Sequence, residues 1–308
     1  MALPLDVQSH RGFIESCICD GTFGERCVGS PPPPSGGRRQ APGSLADAGR
    51  PAGRLGAGRG GGGVVQSSAH LFAILSLAPV SGPLELVPVL ELEPGRYTNQ
   101  QYPTPSVSGR EDPVGWDEHW RKSLADAGIT TLKTVPEELW KVLLSDVSDP
   151  LVIRKIIEVE KLNGQARPDN SVHPEHCGTL CGGYILRESG KTLLSPQCCG
   201  DLSNIYDWVE AAKFRGVNWS ELWIGHPCVS VRYAGGHLEL SDYHEPGEPP
   251  RAAKFLLDAD SLLNAANYAI EKVEVFRTRL LPVLRMMGFA APESTASSLV
   301  GESEKPDP

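Results

Sequence analysis

Apolar and polar residues alternate in two stretches between Gly182 and Glu245, and this alternation predicts an antiparallel sheet. Each stretch contains a two-residue turn, Ser189-Gly190 in the first and Gly235-Gly236 in the second, which is the usual signal of a β-hairpin. The first turn is expected to pair Glu188 with Lys191, Leu186 with Leu193, and Ile185 with Leu194. The second is expected to pair Tyr233 with Leu238, Arg232 with Glu239, and Val231 with Leu240. This second register is self-consistent, since apolar residues share one face and the Arg–Glu pair lies on the other.

A periodicity of three to four residues predicts a helix between the two hairpins. Asp201 and Ser203 are typical capping residues, and Arg215-Gly216 marks the end of the helix that follows them. Its apolar face is expected to consist of Ile205, Trp208, Val209 and Ala212. Such a helix is expected to lie on the sheet.

Three more helices are predicted upstream, each opening at a proline that suits the first turn. They begin at Asp112-Pro113, Pro136 and Asp149-Pro150. Their apolar stripes are Trp116, Trp120, Leu124 and Ala127; Leu139, Trp140, Leu143 and Leu144; and Leu151, Ile153, Ile156 and Ile157. Stripes of this kind are core far more often than ligand sites. Downstream, a long helix is predicted from Asp260 to Leu281, and Pro282 is expected to end or kink it because proline lacks a backbone N–H.

Composition divides the chain into three parts. Its 33 glycines and 27 prolines crowd the first third, where runs such as Pro31–Pro34 and Gly56–Gly63 cannot bury a core. We therefore expect a largely disordered leader over residues 1–111, a single domain over 112–288 and a disordered acidic tail over 289–308. The domain is predicted to be α+β, with a small antiparallel sheet of about four to five strands packed by helices.

The leader has an unusual charge composition. Up to residue 63 it contains seven Arg, no Lys and five acidic residues, a net charge of +2. This composition is typical of translated GC-rich DNA, so we expect the natural start to lie downstream, with Val64 or Val65 as candidates. N-terminal sequencing of the natural protein tests this, and an intact Met1 or Ala2 end would contradict it.

Global properties restrict the classes of function. The net charge of −9 provides no basic field for nucleic acid. The longest apolar run, from Ala69 to Val80, is too short to cross a bilayer. The eight cysteines are irregularly spaced in a long chain, unlike those of a small secreted disulfide framework. We therefore expect a cytoplasmic protein with reduced thiols, no nucleic-acid partner and no membrane association.

The cysteines carry the first candidate chemistry. Cys177 and Cys181 fit the wide end of zinc-ligand spacing, whereas adjacent residues of one strand point to opposite faces and suit a shared metal less well. One hypothesis is a zinc site built from Cys177, Cys181, Cys198 and Cys199, with His176, His226 and Cys228 as further candidate ligands. The alternative is a set of buried, inert thiols. No other cofactor is expected.

Two catalytic arrangements are also compatible with the sequence. Cys199 precedes a predicted helix N-terminus, a position that lowers a thiol pKa. Its candidate bases are His226, His237 and His244. The second arrangement is the trio of Asp242, His244 and Glu245 at the end of the last strand, where alternation puts the first two on one side. A solvated strand end is the plainer interpretation of that trio.

The segment from Val135 to Leu144, V-P-E-E-L-W-K-V-L-L, is followed by Asn163-Gly164 and Gly182-Gly183-Tyr184. This order resembles the helix-then-sheet layout of small bacterial SMI1/KNR4-type proteins, over about residues 112–245. Many proteins of that family are immunity proteins that bind toxins, so the resemblance implies a role in protein binding.

A non-enzymatic protein-binding module is the leading functional prediction. The apolar stripes account for a complete core, while no convergent catalytic set is recognisable. An acidic domain would complement a basic protein partner, such as a toxic nuclease. The alternative function is a thiol- or zinc-dependent site at the four cysteines.

Overall fold

Both alternating stretches form β-strands. A computed structural model of the chain describes residues 78–109, 111–165, 178–248, 250 and 252–302. The strands in these residues are β1 (Leu84–Glu91), β2 (Lys141–Leu143), β3 (Gly182–Glu188), β4 (Lys191–Leu194), β5 (Ser220–Leu222), β6 (Val229–Ala234), β7 (His237–Ser241) and β8 (Ala253–Leu257). They confirm the predicted α+β class.

The described strands form two antiparallel sheets of four strands each, ordered β2-β1-β3-β4 and β5-β6-β7-β8. The β6–β7 hairpin confirms all three predicted pairs: Tyr233 with Leu238, Arg232 with Glu239, and Val231 with Leu240. The β3–β4 hairpin pairs Glu188 with Lys191 as predicted, but a bulge after Leu186 pairs that residue with Leu194. The predicted pairs Leu186–Leu193 and Ile185–Leu194 are therefore wrong, because an irregular step in the ladder shifts the register by one residue.

The helices of the described residues are α1 (Pro113–Asp126), α2 (Pro150–Gln165), α3 (Ile205–Lys213), α4 (Ala259–Met286) and α5 (Pro292–Leu299). The predicted starts of α1 and α2 are confirmed. Asp112 accepts a hydrogen bond from the Gly115 N–H at 2.9 Å, and Asp149 accepts one from the Leu151 N–H at 2.8 Å. These bonds satisfy backbone donors that a helix start leaves unpaired.

Helix α4 lies at the centre of the core, where it packs against β1, α2, α3 and α5. Its buried face includes Leu262, Ala266, Ala269, Val273, Phe276 and Leu280. Pro282 does not end this helix, which continues to Met286 with Val283 and Leu284 buried. Both Pro282 and Thr278, whose carbonyl loses its helical partner, are exposed, so water is able to satisfy that carbonyl.

The predicted helix at Pro136 is wrong. Glu137 and Trp140 have φ angles of 66° and 61°, which are left-handed values that a right-handed helix does not contain. Strand β2 follows instead, and its Val142 pairs with Leu90 of β1. The apolar run here is short, and periodicity alone does not separate a short buried strand from a helical turn.

The fold extends beyond the predicted limits of residues 112 and 288. Strand β1 lies between β2 and β3, although it precedes residue 112, and α5 follows residue 288 with Leu299 fully buried. Pro88 hides the strand pattern of β1. The ladder between β1 and β2 ends at Val89, so the adjacent Pro88 is not paired with β2. Strands tolerate proline where such a ladder ends, because no N–H is needed there. The predicted disorder over 1–111 and 289–308 is therefore wrong for these two elements.

A short segment before β1 joins the two sheets. The Val80 N–H donates to the Leu256 carbonyl of β8 at 2.9 Å. The next two backbone N–H groups, of Ser81 and Gly82, donate to Glu188 Oε1 of β3 at 3.0 and 2.9 Å. Strand β1 begins two residues later, at Leu84.

The predictions for residues 1–77 and for Cys177 concern positions outside the described residues. The described residues all belong to one unit, Ser76–Pro308. Among the helices that the structure describes there, none combines the length and the hydropathy of a membrane span.

Candidate functional site

Three of the four predicted zinc-ligand cysteines are described. Cys181 directly precedes β3, and Cys198 and Cys199 lie between β4 and α3. Within the described part of the chain, no three His, Cys, Asp or Glu side chains are grouped so as to hold a metal ion. These three cysteines therefore do not form such a group by themselves. The zinc site that includes Cys177 stays a prediction, because that residue lies outside the described ranges.

Cys181 belongs to a polar cluster with Arg96 and Glu160. The Arg96 guanidinium donates to Cys181 Sγ at 3.6 Å and to Glu160 Oε2 at 2.8 Å, which joins the 3-10 turn after β1 (Pro94–Arg96) to α2 and to the residue before β3. Burial raises the pKa of the Cys181 thiol to about 11, and the Glu160 carboxylate adds to that shift while Arg96 opposes it. A thiol with this pKa is protonated near neutral pH and is a poor nucleophile.

The turn that carries Cys198 and Cys199 packs against the loop before β6. Cys198 and His226 form an antiparallel bridge, and the Cys198 thiol donates to the His226 carbonyl at 3.1 Å. Gly225 has a φ of 107° and lies so close to the Cys198 carbonyl that a Cβ would collide with it. The structure thus joins His226 to Cys198 through the backbone, while the imidazole packs edge-on against Trp223 at 4.7 Å between ring centroids.

His244 contacts two nucleophile-type side chains on β6 and the residue before it. Its Nε2 lies 2.9 Å from Ser230 Oγ, and its Nδ1 lies 3.8 Å from Cys228 Sγ and 3.0 Å from the Glu245 carbonyl. A ring held between a hydroxyl and an orienting carbonyl has the layout of a nucleophile–base pair. Both nucleophiles are buried, and burial raises the pKa of the Cys228 thiol to about 11. The cluster therefore gives a substrate no access.

The predicted trio of Asp242, His244 and Glu245 does not converge. The Asp242 carboxylate accepts from Lys254 Nζ at 2.6 Å, and this hydrogen bond lowers the pKa of Asp242. The His244 ring is turned towards Ser230, and Glu245 contributes only its backbone carbonyl to that ring. Asp242 is exposed, as expected for a solvated strand end.

A separate group of aromatic side chains lies on and around α1. The Trp116 ring centroid is 5.8 Å from that of His119 and 5.8 Å from that of Trp140. Tyr102 approaches His119 edge-on at 6.5 Å. All four side chains are partly exposed, and Trp116 belongs to neither group of buried core residues. These four residues, together with Val107, Val114 and Leu139, are named here the α1 aromatic surface.

The aliphatic members of the α1 aromatic surface are exposed. Val114 is 73% exposed, Val107 43% and Leu139 37%. The Trp116 indole N–H donates to the Val107 carbonyl at 2.8 Å, which holds the loop before α1 against the helix. Gly109 of the same loop packs closely against Leu139. Exposed aliphatic side chains next to aromatic rings are typical of a protein-binding surface.

A cleft of about 260 Å³ opens between α1 and the loop before it. It is lined by Tyr102, Pro103, Thr104, Pro105, Gly115, Glu118, His119 and Lys122. Pockets for small molecules are usually larger, at roughly 300–1,000 Å³. The cleft therefore suits one or two side chains of a bound peptide better than a whole metabolite.

His119 forms part of the wall of this cleft. Burial lowers its pKa, and the hydrogen bond from the ring to the Pro103 carbonyl opposes that shift. Its Nδ1 is buried and has no hydrogen-bond partner among the described residues, as is also true of Trp140 Nε1.

Acidic residues predominate around the α1 aromatic surface. Residues 97–140 contain seven Asp and Glu but four Lys and Arg, a net charge of −3. Lys122 is already paired with Glu118 at 2.7 Å, and Arg121 is paired with Asp117. Glu137, beside Leu139, is exposed. This balance favours a positively charged partner.

The α1 aromatic surface is the part of the molecule that sequence reasoning missed. Helical periodicity assigns Trp116 and Trp140 to buried stripes, and it gives no role to Tyr102 or His119. A compositional signal was present, since three of the six tryptophans of the chain fall between residues 116 and 140. Tryptophan is enriched at binding surfaces as well as in cores.

Comparison with known proteins identifies no relative. The chain matches no protein-family model, no curated protein and no solved structure. A functional conclusion therefore depends on the chemistry and the geometry of the surfaces described above.

Proposed function

We propose that this protein is a non-enzymatic module that binds a basic protein partner through the α1 aromatic surface. The proposal rests on exposed apolar side chains around α1: Val107, whose carbonyl accepts from the Trp116 indole, and Leu139, which directly precedes Trp140. Val114 of α1 is also exposed. Covering apolar area contributes about 25 cal/mol for each Å² removed from water. Tryptophan and tyrosine also supply a large share of the residues that dominate binding energy at interfaces.

The charge around the surface supports a basic partner. The net charge of −3 over residues 97–140 and of −9 over the whole chain would attract a cationic protein and speed its association. Salt screens such attraction between exposed charges, so the complex is expected to form more slowly at high ionic strength. A toxic nuclease has the required basic character, and toxins are the class of partner that the SMI1/KNR4-type resemblance implies.

Among the candidate groups, Cys199 is exposed, whereas Cys181, Cys228 and Ser230 are not, and the state of these three supports binding over catalysis. Cys181 and Cys228 have thiol pKa values raised to about 11 by burial, and Ser230 is buried beneath His244. A catalytic thiol instead requires a lowered pKa and access to substrate. Metal analysis of the purified protein, combined with thiol titration, tests the zinc alternative directly.

Val114 and Val217 provide a matched pair of variants, because both are 73% exposed. Val114 lies in α1 within the surface, whereas Val217 lies in the loop between α3 and β5. We expect immobilised wild-type protein to retain a basic protein from a lysate of the native host. Val114→Glu should lose it because a charge is placed in the apolar contact, and Val217→Glu should keep it.

Circular dichroism checks that both variants fold, and an acidic residue in the first turn of α1 is favourable for the helix. Mass spectrometry identifies the retained protein. Equal retention by the two variants, or retention of acidic proteins only, would show that the α1 aromatic surface is not the binding site.

A further inference from the structure

We infer that the α1 aromatic surface holds an extended, proline-rich peptide segment with flanking basic residues. This inference rests on the proposed function, and it specifies the chemistry of the part of the partner that makes contact. The argument uses the shape of the cleft, the hydrogen-bonding state of its rings and the surrounding charge.

The shape of the cleft disfavours two common modes of peptide recognition within it. The cleft is about 260 Å³, and it lies between a helix and a loop. A bound helix is about 10–12 Å across with its side chains and needs a longer groove. A peptide that adds to a sheet needs the free edge of a strand, and the lining of this cleft contains no strand residue. Polyproline II is the extended conformation that proline-rich recognition segments adopt without strand pairing.

The rings of the surface suit proline in particular. The Trp116 N–H and the Tyr102 hydroxyl already donate to Val107 and Asp126, at 2.8 and 2.9 Å. The surface therefore offers mainly ring faces and the cleft walls. A polyproline II backbone makes no internal hydrogen bonds and remains solvated, and proline has no N–H to satisfy. Aromatic grooves bind such segments because the conformation is already formed and little entropy is lost.

The charge around the surface indicates what flanks the prolines. Residues 97–140 carry a net charge of −3, so Arg or Lys side chains on either side of the proline core complement the surface.

The test uses the full chain and a fluorescein-labelled peptide with a polyproline core and arginine at each end, followed by fluorescence anisotropy. The matched peptide replaces every proline with alanine and keeps the arginines. We expect the proline peptide to bind about tenfold more tightly than the alanine peptide. A third peptide, with glutamate in place of arginine, should bind more weakly than the first.

Two tyrosine variants locate the site. Tyr102→Ala should weaken binding of the proline peptide about tenfold, as truncation of an important interface aromatic does. Tyr268→Ala should leave it unchanged, because that ring is 56% exposed but lies on α4. Equal binding of the proline and alanine peptides, or equal effects of the two variants, overturns the inference.

The result also separates this inference from the proposed function. If no peptide binds while Val114→Glu still releases the captured protein, the proline segment is wrong and the binding surface stands. If no peptide binds and Val114→Glu releases nothing, both proposals fail.

Discussion

The ion pair between Arg96 and Glu160 offers the sharpest test of how the fold is held together. Replacing Arg96 with Met keeps an apolar stem of similar length but removes the guanidinium. The Glu160 carboxylate then loses its partner at 2.8 Å, and Cys181 Sγ loses the donor at 3.6 Å. The variant should therefore loosen the attachment of α2 to the 3-10 turn that follows β1.

The loss of folding stability in Arg96→Met follows from the burial of the Arg96–Glu160 pair. Removing one partner of a fully buried ion pair costs about 3–5 kcal/mol, because the other charge is left without compensation. The Arg96 and Glu160 side chains are 21% and 12% exposed, so water reaches them and reduces the cost. We expect a loss of about 2 kcal/mol, or roughly 4–8 °C in Tm for a folded unit of this size.

The loss of folding stability caused by Arg96→Met should depend on pH in a defined direction. Burial raises the pKa of Glu160 above its ordinary value of 4.5 although Arg96 opposes the shift. Without Arg96 that pKa must rise further. A carboxyl group with a raised folded-state pKa favours the folded state when protonated, and it loses that advantage as the pH rises through the folded pKa. The destabilisation by Arg96→Met should therefore be full near neutral pH and small at about pH 4.5.

Urea denaturation at the two pH values measures these effects. Glu160→Gln and the double variant complete a thermodynamic cycle, and the double variant should recover most of the stability lost in Arg96→Met. The reasoning is refuted if Arg96→Met costs the same at both pH values, or if Glu160→Gln does not relieve it.

Other groups give further predictions. Burial raises the pKa of Asp207 to about 6, so the wild type should lose stability as the pH rises from about 4 through 6. Asp207→Asn should remove this dependence and stabilise the protein by roughly 2 kcal/mol near pH 7.5 in urea titrations, and an unchanged pH profile would contradict it. Leu299→Ala should cost about 2–4 kcal/mol in thermal melts, because this side chain anchors α5 in the core, and an unaltered Tm would show that α5 is not anchored. Cys181 and Cys228 should react with iodoacetamide much more slowly in the native than in the denatured protein, as followed by mass spectrometry, because burial raises both thiol pKa values to about 11; equal rates would count against their burial.

The hairpin of β6 and β7 was predictable because two independent signals agree there. Alternation assigns each side chain to a face, and the Gly-Gly turn fixes which residues are opposite. The pair Arg232–Glu239 then becomes an ion pair at 2.6 Å. In the β3–β4 hairpin the turn is equally clear, but the bulge after Leu186 has no signal in the apolar pattern.

The N-terminal boundary of the fold was not predictable from the same patterns. Pro88 makes the β1 segment look unsuitable for a sheet, because proline has no N–H to donate to a ladder. Only the strand pairing shows that the ladder with β2 ends at the neighbouring Val89, so that no donor is needed at Pro88 on that side. The Glu137 and Trp140 backbone angles likewise depend on tertiary contacts, which no local propensity encodes.

The α1 aromatic surface illustrates a different limit. Trp120 and Trp116 occupy the same predicted stripe, yet Trp120 is buried with its N–H bound to the Leu92 carbonyl at 2.9 Å, whereas Trp116 lies at the surface. Periodicity gives the direction of an apolar stripe but not its width relative to the core it faces. Which member of the stripe becomes a binding residue is decided by the loop that packs beside it.

The segment from Val80 to Leu84 has a consequence for how the molecule comes apart. Its backbone is bonded to the edge strand β8 on one side and to Glu188 on the other, before it enters the first sheet as β1. Opening either sheet therefore strains the hydrogen bonds by which this segment holds the other sheet. The eight described strands should melt together in one concerted step, with the slowest-exchanging amides of β3 and β6 sharing a common opening free energy.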